Sequence, residues 1–351
     1  MQAHAIKGRG VSGNPHNRYH SLHSVGDDGD VGEIKLLSTD IIEQTAKTVI
    51  ARNQSPDVPH SQSVNPYAGC EHGCVYCYAR PTHAYHDLSP GLDFETKIIA
   101  KTNVSECFSR EISKEAYKAK PILIGANTDP YQPVEQRLEL TRQLLEVCLE
   151  KSHPVSLITK SALIERDLDL LEQLAQKGLC SVRISVTTLD NQLKRKMEPR
   201  TASGQARLAA VSKLAERGIP TGVLVAPIIP SINDSELEAI LEAAKHAGAI
   251  SATYILLRLP LEVKELFSTW LETHYPQRAK HVLSLISQSR GGKLYDSSFG
   301  QRMSGEGVFA DMISKRFLLA CNKLGLKVAH SDKLNCDLFS ASKPNQQMSL
   351  F

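Results

Sequence analysis

The chain has 351 residues, 41% of them hydrophobic, enough for one large barrel domain with extensions or two ordinary domains. A formal charge of +3 is close to neutral, which excludes a globally basic surface and leaves only local patches for nucleic acid. Eight cysteines without an apolar leader point to a reducing, cytoplasmic setting, and no apolar run approaches the ~20 residues that span a bilayer.

In chain order, residues 1 to about 60 are polar and rich in Gly, Asn and His, and are expected to form a flexible, solvated arm. His4, His16, His20 and His23 are too irregularly spaced for a metal site. A short strand at about 63–68 leads into a cysteine loop, followed by helical sequence near 75–86, an insertion strand over 93–101 and a helix over 104–118. Strand and helix then alternate, with strands at 121–125, 155–159, 181–186, 221–226 and 251–256, and helices at 135–151, 161–177, 203–217, 234–247, 261–274 and 277–288. Gly178, Gly218 and Gly248 fall just after helices, where a left-handed C-cap favours glycine. This alternation predicts an α/β fold with a parallel sheet, either doubly wound or a barrel. Residues 61–290 read as the core and 291–351 as an extension, with a helix from Glu306 to Leu324 and a polar end.

The loop Asn65-Pro-Tyr-Ala-Gly-Cys70-Glu-His-Gly-Cys74-Val-Tyr-Cys77 places three cysteines within eight residues, spaced C-x3-C-x2-C. Thiolates this close converge on one inorganic centre. A [4Fe–4S] cube held by three cysteines keeps one iron open to a small molecule. Zinc with His72, His83 or His86 as fourth ligand is an alternative, although the spacing is unusual for zinc. A ferredoxin-like site lacks its fourth cysteine, and three unconnected buried thiols are the bland reading.

With Tyr76 before the third cysteine, the loop resembles the signature of the radical S-adenosylmethionine (SAM) superfamily. The resemblance implies a partial (β/α)6 TIM-type barrel, a [4Fe–4S] cluster held by Cys70, Cys74 and Cys77, and SAM chelated at the open iron. It also implies reductive cleavage of SAM to methionine and a 5′-deoxyadenosyl radical, with electrons from a donor such as flavodoxin or ferredoxin. Barrel sites lie at strand C-termini, and the cysteine loop follows the first strand. Tyr76 puts an aromatic ring beside the cluster, and Asn127, Thr128 and Asp129, after the second strand, are candidates for the SAM ammonium. Lys160 is placed at the carboxylate, Ser185, Glu198 and Arg200 after the fourth strand, and Ala226 near the adenine. Each has a structural alternative: Asn127 and Asp129 as shapers of a proline turn, Lys160 as a solvated residue before the N-cap Ser161, and Glu198 paired with Arg200.

The runs Thr128-Asp129-Pro-Tyr-Gln, Ile158-Thr-Lys160-Ser, Arg183-Ile-Ser185-Val-Thr-Thr and Val225-Ala226-Pro-Ile-Ile-Pro resemble the spore photoproduct lyase-like branch over about residues 60–335. The namesake of that branch repairs a thymine dimer with a cysteine hydrogen donor near the end of the second strand. Here that neighbourhood reads Gly125-Ala126-Asn127-Thr128, without a cysteine; Tyr131, Cys180, Cys321 and Cys336 are candidate donors, Tyr131 foremost. The terminal Gln347-Met-Ser-Leu-Phe351 resembles a peptide by which bacterial repair and replication proteins bind the DNA sliding clamp. Arg290, Lys293, Arg302, Lys315 and Arg316 are candidates for a phosphate-facing patch. The expected function is radical SAM chemistry on nucleic acid, in DNA repair or modification. The alternatives are RNA, a peptide or a small metabolite as substrate, or a non-catalytic zinc-stabilised nucleic-acid-binding protein.

Overall fold

The computed structural model describes residues 6–19, 38–328 and 333–341. Its strands in chain order are β1 (Asp40–Gln44), β2 (Ile50–Arg52), β3 (Gln62–Val64), β4 (Tyr67–Ala68), β5 (Lys97–Lys101), β6 (Ile122–Ile124), β7 (Val155–Thr159), β8 (Cys180–Ser185), β9 (Thr221–Ile228), β10 (Ser251–Leu256) and β11 (Lys327–Val328). The main sheet runs β11-β10-β9-β8-β7-β6-β3-β2. From β3 through β10 its neighbours pair in parallel, and β2 joins the edge antiparallel to β3. Spatial order follows chain order without reversal, which removes the doubly wound alternative, since that fold needs a switch point. The chain is thus α/β, with six parallel strands, β3 and β6 to β10, and the two-residue β11 added in parallel at the edge of an unclosed barrel. The strands are buried nearly throughout: Val155, Leu157, Ile184 and Val223 are fully inaccessible and pack against Leu171, Leu174, Val211 and Leu214 of the covering helices.

Several local expectations change: the strand foreseen over 93–101 begins only at Lys97, after a helical turn over Asp93–Thr96, and the helix foreseen over 104–118 ends at Ile112. The strand foreseen over 63–68 is split at Pro66, which lacks the N–H that would continue the ladder, so β4 joins β1 and β5 in a separate sheet of three strands. The helix expected over 135–151 breaks at Glu139, whose φ is +52°, giving Glu135–Leu138 and Leu140–Glu150. A helix over Asn191–Met197, capped by Asp190 accepting from Gln192 N, was not foreseen.

The expectation of a solvated N-terminal arm does not describe residues 6–19. Arg9 donates to Glu95 O at 2.8 Å, Gly10 N donates to Glu95 Oε2 at 3.0 Å, and Arg18 pairs with Glu262 at 2.8 Å. Gly10 lies so close to the cysteine loop that a Cβ there would sit 1.7 Å from Gly73 O, a contact only glycine permits. The polar end expected after the last helix likewise docks over 333–341. Asn335 N bonds Gly178 O at 2.9 Å, Ser340 N bonds Lys151 O at 3.0 Å, and Phe339 packs 5.3 Å from His153. Residues His4, His20 and His23 and the tail Gln347 to Phe351 lie outside the described residues. Among those described, no helix is long and apolar enough to cross a membrane.

Under the cysteine loop, Arg80 is fully buried, as is its partner Glu95. Arg80 also donates to Cys74 O at 3.0 Å, Pro90 O at 3.1 Å and Gly91 O at 2.9 Å. Removing one member of such a pair strands the other charge. Arg80→Met should therefore lower stability to urea by roughly 3–5 kcal/mol, and Arg80→Met/Glu95→Leu should recover most of it. A single variant with an unchanged midpoint would contradict the assignment.

Candidate active site

The loop between β4 and the 3-10 helix Arg80–His86 carries the cysteines beyond the C-terminal end of β3. A loop this short cannot satisfy its own backbone groups, and neighbours do so instead. Cys70 N bonds Phe94 O at 2.8 Å, Glu71 N bonds Gln132 Oε1 at 2.9 Å, and Val75 N bonds Met197 O at 3.1 Å. Gly73 takes φ +66°, which turns the chain between the first two cysteines. Cys70 and Cys74 are buried and Cys77 is partly exposed. Burial pushes all three thiols above their ordinary range, while Lys160 acts the other way on Cys74 and Cys77. Without a metal they are thiols, and binding one must displace their protons.

Asp129 lies at the centre of one half of the site. Its Oδ2 is 3.3 Å from His72 Nδ1 and accepts from Lys160 N at 2.7 Å; its Oδ1 accepts from Thr159 Oγ1 at 2.6 Å and from Tyr131 N at 2.9 Å. Burial alone would raise its carboxyl, but His72 and these hydrogen bonds outweigh burial and hold it at about 2. Asp129 thus ties the cysteine loop to the ends of β6 and β7, and its oxygens are spent on protein partners. Thr128 is likewise occupied, donating to Tyr67 O at 2.8 Å. Asn127 bonds Asn65 Oδ1 through its backbone at 3.0 Å, and its side chain reaches Thr82 Oγ1 at 3.4 Å. Of the three, Asn127 retains polar atoms for a ligand.

Glu198 lies at the centre of the other half. It accepts from Thr187 Oγ1 at 2.7 Å, from the Tyr76 hydroxyl and from Arg207, which also donates to Ser185 O at 2.9 Å and Thr201 Oγ1 at 2.6 Å. The alternative of a Glu198–Arg200 pair is corrected: Arg200 pairs with Glu71 at 3.1 Å, and Glu198 is closed off by Arg207. Neither offers a free charge, because an unpaired buried charge would be costly. Both hold Tyr76 and the loop in place. Ala226 O accepts from Thr187 Oγ1 at 3.0 Å, so that carbonyl too is engaged.

Lys160 and Ser185 are different. Lys160 Nζ stands 6.0 Å from the Tyr76 ring centroid, at the end of β7, and has no ion pair among the described residues. Ser185, at the end of β8, is 1% exposed, and its Oγ has no hydrogen-bond partner. Such orphaned buried hydroxyls are rare unless a ligand completes them. Tyr131 is placed away from this group. It packs with Val134, Leu140 and Ile164 in the main core, whereas Cys74 and Tyr76 belong to a second apolar cluster. Burial and the nearby Asp167 and Glu135 push its phenol well above the ordinary range. Those surroundings suit a packing residue better than a radical relay. Cys180 and Cys321 are buried in the same main core.

The three cysteines share one loop, and their thiolates are the residues that would hold a cluster lending one iron to each. Among the described residues, no three His, Cys, Asp or Glu side chains are gathered to hold one ion.

The Radical SAM superfamily profile matches residues 64–244, more than half of the chain. The chain belongs to the radical SAM superfamily. Its cofactors are accordingly a [4Fe–4S] cluster and SAM. An uncharacterized protein of Mycobacterium tuberculosis is 36% identical over 232 residues, covering 65% of this chain and 68% of that protein. A radical SAM Nalpha-GlyT isomerase of Pseudomonas phage M6 is 27% identical over 241 residues, covering 65% of this chain and 46% of the isomerase. Spore photoproduct lyase complexed with dinucleoside spore photoproduct matches the fold with TM-score 0.61 at 18% identity, over 82% of this chain and 81% of that one. That match shows a shared fold.

The depressed Asp129 carboxyl has a signed consequence for the metal-free protein. An unfolded aspartate titrates near 3.9, so the stability Asp129 contributes is complete above about pH 4. It disappears as pH falls through about 2. The shift corresponds to about 2 kcal/mol at neutral pH. Asp129→Asn should lose that amount at pH 7 and show a flatter acid limb in urea titrations. A variant with the same acid limb as the parent would remove Asp129 as the brace.

Proposed function

We propose that the chain is a radical SAM enzyme acting on nucleic acid, in DNA repair or modification. Cys70, Cys74 and Cys77 would hold the cluster, which would supply the electron that cleaves SAM to methionine and the 5′-deoxyadenosyl radical. The observation that carries the radical reading is a loop with three closely spaced cysteines beyond the end of β3, together with the unpaired Lys160 at the end of β7 and the orphaned Ser185 Oγ at the end of β8. Lys160 offers the SAM carboxylate an ammonium whose approach is set by the Tyr76 face. Ser185 Oγ and the Asn127 amide offer hydrogen bonds, and the chains through Asp129 and Glu198 keep water and motion out of the loop. The nucleic-acid reading is supported by the fold shared over most of the chain with a lyase complexed with a dinucleoside.

Gly125 to Thr128 lacks a cysteine at the end of β6, and Tyr131 is packed in the core. These two facts favour a reaction other than repair of the same thymine dimer. A cytoplasmic setting, a flavodoxin- or ferredoxin-type electron donor and clamp binding through Gln347–Phe351 complete the proposal; the last rests on sequence alone.

Lys160→Ala should raise the KM for SAM roughly 10- to 100-fold, the range of a lost hydrogen bond to a charged group, while iron content stays unchanged. An unaltered KM would remove Lys160 from the SAM site. For the substrate, anaerobically reduced enzyme is incubated with SAM and deuterated DNA, RNA or peptide pools. Deuterium in 5′-deoxyadenosine is expected from the nucleic-acid pools. Transfer from peptide alone would sink the substrate reading and leave the SAM chemistry standing.

A further inference from the structure

Four exposed aromatic rings lie along one seam, each with a guanidinium beside it. Tyr78 directly follows Cys77, is 45% exposed, and has Arg258 at 5.1 Å from its ring centroid. Tyr85 and Tyr19, 69% and 57% exposed, stack at 5.6 Å. Arg18 stands 4.7 Å from Tyr19 and 5.6 Å from Tyr85. Phe299, 61% exposed, has Arg302 at 4.9 Å.

Contacts within the structure join these pairs in series. Arg258 follows β10 and reaches Met303 Sδ at 3.5 Å, one residue from Arg302. Further along that loop, Glu262 holds Arg18, which also donates to Pro81 O at 3.1 Å, inside the segment that carries Tyr78 and Tyr85. The series therefore runs from Phe299 past Tyr78, at the cysteine loop, to Tyr85 and Tyr19. Leu261, 54% exposed, adds apolar surface between them.

The charge balance narrows the partner. Arg18 is neutralised by Glu262 at 2.8 Å and Arg302 by Asp57 at 2.6 Å. Arg258 has no ion pair among the described residues, and its buried Nε has no hydrogen-bond partner. One uncompensated cation among open rings is poor equipment for a duplex, whose affinity comes from many phosphate contacts. It suits unpaired bases, which stack on aromatic and guanidinium planes without sequence readout.

We propose that this seam is a binding track for an unpaired stretch of nucleic acid that leads it to the cysteine loop; this rests on the nucleic-acid reading above. The test is anaerobic fluorescence anisotropy of the full-length holoenzyme. The probes are a short labelled single-stranded DNA, the RNA of the same sequence and the matching DNA duplex. A single strand should bind more tightly than the duplex, with a shallow salt dependence of about one released counterion, and the DNA and RNA arms decide which strand is preferred. Tyr85→Ala should weaken single-strand binding roughly five- to hundredfold, Tyr85→Trp should retain it, and Phe299→Ala should weaken it from the other end. Iron content equal to the parent shows that each variant is folded.

Parent-like binding by both alanine variants, a preference for duplex, or no binding of either strand would overturn the track. The deuterium-transfer assay separates the two failures. Transfer from nucleic acid with unaffected alanine variants removes the track alone, whereas transfer from peptide only removes the reading beneath it.

Discussion

Three buried carboxylates hold the cysteine loop, and the rest of the site depends on them. Glu71 accepts from Val134 N at 2.7 Å and pairs with Arg200 at 3.1 Å. Glu95 binds Arg80 from below and Gly10 N from the N-terminal segment. Glu198 binds Tyr76 and Arg207. Each joins the loop to a different part of the chain, namely the turn after β6, the accessory sheet and the segment after β8. A loop that must present three thiolates to one centre cannot also be regular secondary structure, so its geometry is imposed from outside. Charge-assisted hydrogen bonds are directional and fix the position of the backbone and side chains they hold. That explains why acidic residues within and around a metal-binding loop are committed to arginines and amides and do not compete for the centre.

This arrangement also explains which parts of the site were legible in the sequence. The cysteines were legible because their spacing is local, and the strand ends because β7 and β10 announce themselves as short apolar runs between helices. Glycines 178, 218 and 248 read as helix caps and indeed take φ of +66°, +68° and +95°. Lys160 and Ser185 could be placed at strand ends for the same reason. The struts were not legible. Arg207 sits within the helix Gly204–Glu216 in the run Gln-Ala-Arg-Leu, which looks like any amphipathic surface, yet it is 1% exposed. Glu198 and Arg200 are two residues apart and invited a local pair, but the backbone directs them to opposite partners.

The N-terminal segment makes the same point differently. A stretch rich in Gly, Asn and His carries no apolar period, and solvation was the natural reading. Its docking uses a backbone donor, the two arginines Arg9 and Arg18 and the absence of a side chain at Gly10, all of which are silent in hydropathy. Because Glu95 receives both Arg80 and this segment, the loop carrying Cys74 is covered from two sides. The fold shared with spore photoproduct lyase therefore accounts for the barrel, while this chain's own residues account for how the loop is closed.

The central claim is that this loop holds a [4Fe–4S] cluster with one iron open to SAM. Electron paramagnetic resonance of the anaerobically reduced protein, recorded before and after SAM is added, tests it most directly. The account predicts a cluster signal that changes on addition of SAM. A protein without iron and sulfide, or a cluster spectrum indifferent to SAM, would contradict it.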